Sequence, residues 1–325
     1  MSLEVLAPGL LTSVQDMGRH AARAFGVGVG GAADGFSCRV ANLLVGNPAD
    51  SAALEITLHG PTLRLHRAAT IALCGAMIDA QADGLALPGW RPVALPAGCT
   101  LTLGACSRGA RAYLAIDGGI DVPAILGSLG TDLRSGFGGF AGRALRTGDR
   151  LGLGSPLAAI VATDAPRIVP WWIDAEPDLD LADSIVVRVL PGSDATMPAD
   201  ALHAQEFVVA SASNRQGLRL HGAALRLADA RERVSEPVVP GTVQLPQDGA
   251  PIVLLADAQT IGGYPRIGHV IAADLPRLAQ RRASQRLRFV PIDRKRAERA
   301  NVEQRARLAR IALAIAGRRS EDRLF

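Results

Sequence analysis

From Leu3 to about Gly154 the apolar positions recur mostly with period two. Leu54, Ile56 and Leu58 fall on one side of an extended segment and Glu55 and Thr57 on the other, and Gly and Pro turns separate such runs. This alternation predicts antiparallel strands. One helical stretch interrupts them: Phe36, Val40, Leu43 and Leu44 share a face, Asp34 stands where an N-cap is needed, and Gly46-Asn47-Pro48 stops the helix. Residues 156–184 keep neither period and carry Pro166, Pro170 and Pro177 among acidic residues, which predicts a linker. A second strand-rich block follows over 185–292, with strands near 185–190, 206–210, 252–256 and 287–290 and a short helix around 274–282. In the tail, 293–325, Asp293 can cap a helix on which Leu308, Ile311, Ala312 and Ile315 form an apolar stripe that needs a surface to cover it. The expected fold is mainly β: an N-terminal barrel-like domain over 1–155, the linker, a C-terminal barrel-like domain over 185–292, and a C-terminal helix and tail. A short echo between Leu3–Gly9 and Val187–Gly192 is compatible with two units of related plan.

Composition narrows the function. A hydrophobic content of 48% can build cores for a chain of 325 residues, while 4% aromatic residues give little stacking surface for nucleic acid. The net charge of +4 is spread along the chain, and its one dense run, Arg294 to Arg310, is interleaved with Glu298 and Glu303, as on a solvated helix face. Lys295 is the only lysine, which removes the P-loop and argues against a lysine Schiff base. The 4 cysteines form no CxxC pair, the 6 histidines no HxxxH or HExxH pair, and there is no GxSxG elbow, so neither a zinc site nor covalent catalysis is expected. No export segment, lipidation signal or apolar run of ~20 residues is present, and the expected compartment is the cytoplasm.

Four polar, glycine-rich segments lie where the strand pattern breaks. Thr12–Arg19, followed by Gly26–Gly31, offers backbone N–H groups to an anion or simply makes tight turns before the helix. Asp117-Gly118-Gly119, with Gly127–Arg134 beyond, reads as turn chemistry. Ser211–Gly217 gathers a hydroxyl, an amide and a guanidinium suited to a carboxylate, with Arg215 as the anchor. In the fourth, an apolar strand delivers Asp257-Ala258-Gln259-Thr260-Ile261-Gly262-Gly263-Tyr264. There Asp257 is a base, the orienter of one, or a turn cap, and Gln259 and Thr260 suit a small amide.

Taken in order, Thr12–Arg19, Ala41–Asn47, Leu54–Thr57, Ala115–Pro123, Ser213-Asn214-Arg215 and Asp257–Pro265 resemble the family of the 5-oxoprolinase C subunit, allophanate hydrolase subunit 2 and the carboxyltransferase part of urea carboxylase. The likeness runs from residue 3 to about 292. It implies cyclophilin-like β-barrel units and an obligate partner, the B subunit. It implies that this pair works with the A subunit to open 5-oxoproline to glutamate at the expense of ATP, bound with magnesium in the complex. Carried over residue by residue, it places a catalytic group at Asp257 and ligand contacts at Gln15, Asp16, Arg19, Asn214, Arg215, Gln259, Thr260 and Tyr264. Lys295 has no biotin-attachment sequence around it, so any biotin is expected on another chain. Two alternatives stay open: a carboxyltransferase subunit moving a carboxyl group from biotin to urea or a similar amide, and a non-catalytic regulatory partner of the B subunit. The sequence departs from the family pattern at Gly127-Ser128-Leu129-Gly130-Thr131, which has one hydroxyl fewer, and at Ser211-Ala212, where relatives usually have Pro-Gln.

Overall fold

A computed structural model describes residues 2–156, 163–194, 201–227 and 234–321. Parts of the expected linker and second domain, together with the last residues of the tail, lie outside the described residues. The chain divides into two compact units: residues 1–19, 30–179 and 307–325 form the first, and residues 20–29 and 180–306 the second.

The first unit is built on an 11-stranded sheet. Two long strands, Ala69–Ala82 and Thr100–Ile116, pair antiparallel along much of their length, and Ala53–Thr57 pairs with both Thr100–Ile116 and Leu11–Gln15. Leu54 and Ile56 are fully buried in the core of this sheet. Glu55, on the opposite face, is buried as well: it accepts hydrogen bonds from the Tyr113 hydroxyl (2.7 Å) and the Ala33 N–H (2.9 Å), so the polar side of this strand is covered and satisfied. Burial, reinforced by the charges of Glu55 and Asp34, pushes the Tyr113 phenol well above its usual range, so it stays a donor. The helix forms over Gly35–Val45, where the Asp34 side chain accepts from the Ser37 N–H and left-handed Gly46 closes the end. Within the segment read as a linker, Arg167–Ile168 adds a strand beside Pro92–Leu95, and Val169 and Leu179 are buried.

Asp117 shows what the glycine-rich hairpin does. Its carboxylate accepts from Arg67 Nη1 (2.6 Å) and the Thr70 N–H (2.9 Å), and both partners of the ion pair are only 7% exposed. At Gly118, φ is +81° and an added Cβ would lie 2.2 Å from the Gly154 carbonyl oxygen, so only glycine fits. This segment is structural, as its turn pattern suggested.

The second unit closes into a seven-stranded barrel. Its strands follow the order Ser184–Pro191, Arg266–Val270, Thr242–Gln244, Ile252–Leu254, Gly217–His221, Glu206–Val209 and Arg286–Pro291. The ring is shut by parallel pairing of the last strand with the first. Inward-facing Val187, Val189, Phe207, Leu220, Val243, Val253, Leu287 and Phe289 fill it. Closure leaves no edge strand to be covered. Among the described residues, the closed ring is that of the second unit, and the strands of the first belong to one 11-stranded sheet. Arg294–Glu321 forms the C-terminal helix, with Asp293 accepting from the Arg296 N–H, and Ile311 and Ile315 of its apolar stripe are buried.

All four cysteines are buried thiols. Burial pushes Cys38 and Cys74 well above the usual thiol range and Cys99 up to about 12. The native protein is therefore expected to give no fast reaction with a thiol-specific disulfide reagent at pH 8, and to titrate four thiols once denatured; rapid labelling before denaturation would show that the cores are not packed as described.

Candidate functional site

Each unit carries one cluster of the residues singled out in the sequence. In the first unit, strand Leu11–Gln15 runs into a turn that faces the loop 127–131. Asp16 is the clamp. Its carboxylate accepts from the Ser128 hydroxyl (2.6 Å), the Leu129 N–H (2.6 Å) and the Gly18 N–H (2.8 Å). Gln15 is fully buried and donates to the Thr131 carbonyl (3.1 Å) and the Ser13 hydroxyl (3.0 Å). Arg19, 1% exposed, donates through Nη2 to the Gly130 carbonyl, and its guanidinium lies 4.8 Å from the centre of the Phe137 ring. Its Nε and Nη1, and Oε1 of Gln15, have no hydrogen-bond partner among the described residues. A buried guanidinium with open donors is suited to an anionic oxygen.

In the second unit, two loops at one end of the barrel are held together by an ion pair. Arg215 donates through Nε and Nη2 to the two carboxylate oxygens of Asp257, both at 2.8 Å. The guanidinium side chain is 5% exposed and the carboxylate 13%. The backbone reinforces the pairing, with the Asp257 N–H donating to the Arg215 carbonyl and the Leu255 N–H to that of Gln216, each at 3.0 Å. The bidentate fork fixes the carboxylate and the guanidinium against each other.

Beside this pair lie two cavities. The larger, about 720 Å3, is lined by Leu225, Arg226, Leu245, Asp248, Gln259 and Tyr264, among others. A smaller one of about 150 Å3 is lined by Asn214, Gln216, Gln244, Gln259 and Tyr264, so Gln259 and Tyr264 belong to both. Pockets of several hundred Å3 with a few convergent polar groups are the usual form of small-molecule sites. Asn214 is exposed at the rim, its Oδ1 accepting from the Gln216 N–H at 2.8 Å. Thr260 lines neither cavity, and its carbonyl accepts from the Val238 N–H at 2.9 Å.

The structure thus brings Gln15, Asp16 and Arg19 together in one unit, and Asn214, Arg215, Asp257, Gln259 and Tyr264 in the other. Sequence reasoning missed Ser128 and Thr131 as partners of the first cluster and Gln216 and Gln244 as members of the second. Glycines at 127, 130 and 217 flank three of them, but which polar neighbour turns inward depends on register across distant strands. Among the described residues, no group of three or more His, Cys, Asp or Glu side chains lies close enough to hold a metal ion. No helix among them is long and apolar enough to cross a membrane.

The family model described as carboxyltransferase domain, subdomain A and B, matches residues 25–291, and the chain belongs to that family. Over 315 residues it is 39% identical to the C subunit of 5-oxoprolinase from Escherichia coli strain K12, covering 95% of this chain and 97% of that one. It is 34% identical to the C subunit of 5-oxoprolinase from Haemophilus influenzae, covering 88% and 90%. Among solved structures, the Kluyveromyces lactis urea amidolyase superposes with a TM-score of 0.86 at 30% identity over 95% of this chain, which spans 20% of that chain's length.

Proposed function

We propose that this chain is the C subunit of an ATP-dependent 5-oxoprolinase and acts with the A and B subunits to hydrolyse the ring amide of 5-oxoproline to glutamate. The supporting observation is the likeness to the C subunit of the Escherichia coli 5-oxoprolinase at 39% identity, with nearly complete coverage of both chains. The chemistry of the second unit agrees with it. Arg215, held by Asp257, supplies a fixed guanidinium for a carboxylate, Asn214 joins it at the rim, and Gln259 and Tyr264, which line both cavities, address the amide. Gln15, Asp16 and Arg19 of the first unit form a second contact set, with Arg19 offering its open donors and Asp16 fixing the loop it faces. Asp257 serves the reaction by positioning Arg215.

The nucleotide does not fit the larger of the two cavities beside the Arg215–Asp257 pair. The larger one sets one guanidinium, Arg226, against one carboxylate, Asp248, and has no lysine, which does not match a triphosphate with its magnesium. ATP chemistry is therefore left to the complex, and no step on this chain runs through it. Lys295 is exposed on the C-terminal helix and lacks a biotin-attachment sequence, so this chain is read as carrying no biotin.

The likeness to urea amidolyase favours a second reading, in which a biotin-bearing carrier on another chain delivers a carboxyl group to urea or a similar amide. A purely regulatory partner of the B subunit is the third. One assay separates them: 5-oxoproline-dependent release of ADP and glutamate by this protein mixed with the A and B subunits from the same source. Turnover that needs all three chains is expected. An intact complex without turnover would refute the 5-oxoprolinase reading and leave carboxyl transfer or regulation.

A further inference from the structure

Three glutamines in the second unit form a directed chain that nothing in the sequence marked. Gln216 Nε2 donates to Gln259 Oε1 (3.3 Å), and Gln259 Nε2 donates to Gln244 Oε1 (3.4 Å). Gln216 and Gln259 each spend a donor on the next amide, which sets the direction of the chain. The chain ends at Gln244 Nε2, which is buried and has no hydrogen-bond partner among the described residues, although Gln244 is only 1% exposed and lines the 150 Å3 cavity. A buried donor without an acceptor costs free energy, so this group is built to meet one supplied from outside the protein.

The remaining lining defines that acceptor. Asn214, Gln216, Gln244 and Gln259 are all neutral carboxamides, each carrying a donor and an acceptor, and Tyr264 closes the wall. Arg215, engaged by Asp257, is not part of the lining, and the charged group that is, Arg219, lies exposed. A carboxylate is acceptor-only and would leave the acceptor oxygens of these carboxamides unmet, whereas a planar amide accepts at its oxygen and donates at its nitrogen, matching a wall of carboxamides. The cavity has room for about five waters at ~30 Å3 each, which is the scale of a single small ring.

We infer that the 150 Å3 cavity is the amide subsite of this protein, that it takes the neutral, planar amide group of a lactam-sized ring, and that Gln244 Nε2 donates to the carbonyl oxygen of that amide. This rests on the 5-oxoprolinase reading for the identity of the ligand and extends it to the residues that select the amide. Gln259 is shared between the small and large cavities, so the ring sits in the first and any larger portion of the ligand faces the second.

The test uses the full chain labelled with 15N and titrated with 2-pyrrolidinone, a neutral five-membered lactam. The side-chain NH2 resonances of Gln244, assigned by their loss in Gln244→Glu, are expected to shift saturably, and glutarate, which offers only carboxylates, is expected not to move them. Gln244→Glu replaces the donor by an acceptor of the same shape and is expected to weaken lactam binding at least tenfold. Gln216→Met, at a partly exposed position, breaks the start of the chain should Gln244→Glu fail to fold, and is expected to weaken binding in the same direction. A Gln244 resonance unmoved by saturating 2-pyrrolidinone, or equal binding by wild type and the variants, would overturn the inference. The assay with all three chains keeps the two ideas apart. Lactam binding that depends on Gln244 in a complex without 5-oxoproline turnover overturns only the proposed function, and turnover unaffected by Gln244→Glu overturns only the subsite.

Discussion

Asp257→Ala is expected to lower the stability of the second unit by about 3–5 kcal/mol, the usual cost of removing one partner from a buried ion pair, and to abolish 5-oxoproline-dependent turnover in the complex. The change strips both 2.8 Å bonds to Asp257 from a guanidinium that is 5% exposed. The loops around residues 215 and 257 also lose their side-chain tie, though the backbone bonds between them remain. Equilibrium urea unfolding reads the stability, and the ADP and glutamate assay reads the function. The double variant Arg215→Met/Asp257→Leu separates the two, because replacing a buried pair by apolar groups is often neutral for stability. It is expected to recover most of the urea midpoint and none of the turnover. If Asp257 positions Arg215, the pH profile of residual activity in Asp257→Asn should keep the wild-type shape. A lost acid limb would instead make Asp257 the proton acceptor.

The second large effect lies in the first unit, away from either cluster. Asp117→Ala is expected to cost about 3–5 kcal/mol by the same reasoning, because Arg67 is 7% exposed and would face only carbonyl oxygens, while the Thr70 N–H would lose its acceptor. At temperatures where the variant remains folded, turnover per assembled complex should match wild type. A loss of turnover without a loss of stability would place Asp117 in the chemistry and contradict the structural role given to this hairpin. Against a total stability of roughly 5–15 kcal/mol for a domain, either single substitution is close to the limit of what the fold tolerates.

The elements were legible in the sequence because their causes are local. The Asp34 cap, the Gly46 stop and the period-two run at Leu54–Thr57 each act within a few residues, and each forms where the pattern places it. The same holds for strands Ser184–Pro191 and Arg286–Pro291 and for the C-terminal helix. The pairing between them was not legible. That Ser184–Pro191 meets Arg286–Pro291 in parallel, and so closes the second barrel while the first unit keeps one large sheet, is a long-range choice set by how whole strands cover one another.

The candidate site divides in the same way. Residue types alone determined that this chain has no P-loop lysine and no histidine pair at zinc-protease spacing, and that its polar chemistry sits in a few glycine-rich loops where strands end. They also carried the family, since the order of those loops survives in the chain itself. Only the tertiary structure decided that Asp257 is bound in a fork by Arg215, 42 positions away, that Asp16 holds Ser128 across 112, and that three glutamines line up with one donor left over. The reason is physical: a propensity or a period is a property of neighbours along the chain, whereas an ion pair, an unsatisfied donor or a cavity exists only once distant segments have been packed side by side and water has been excluded from between them.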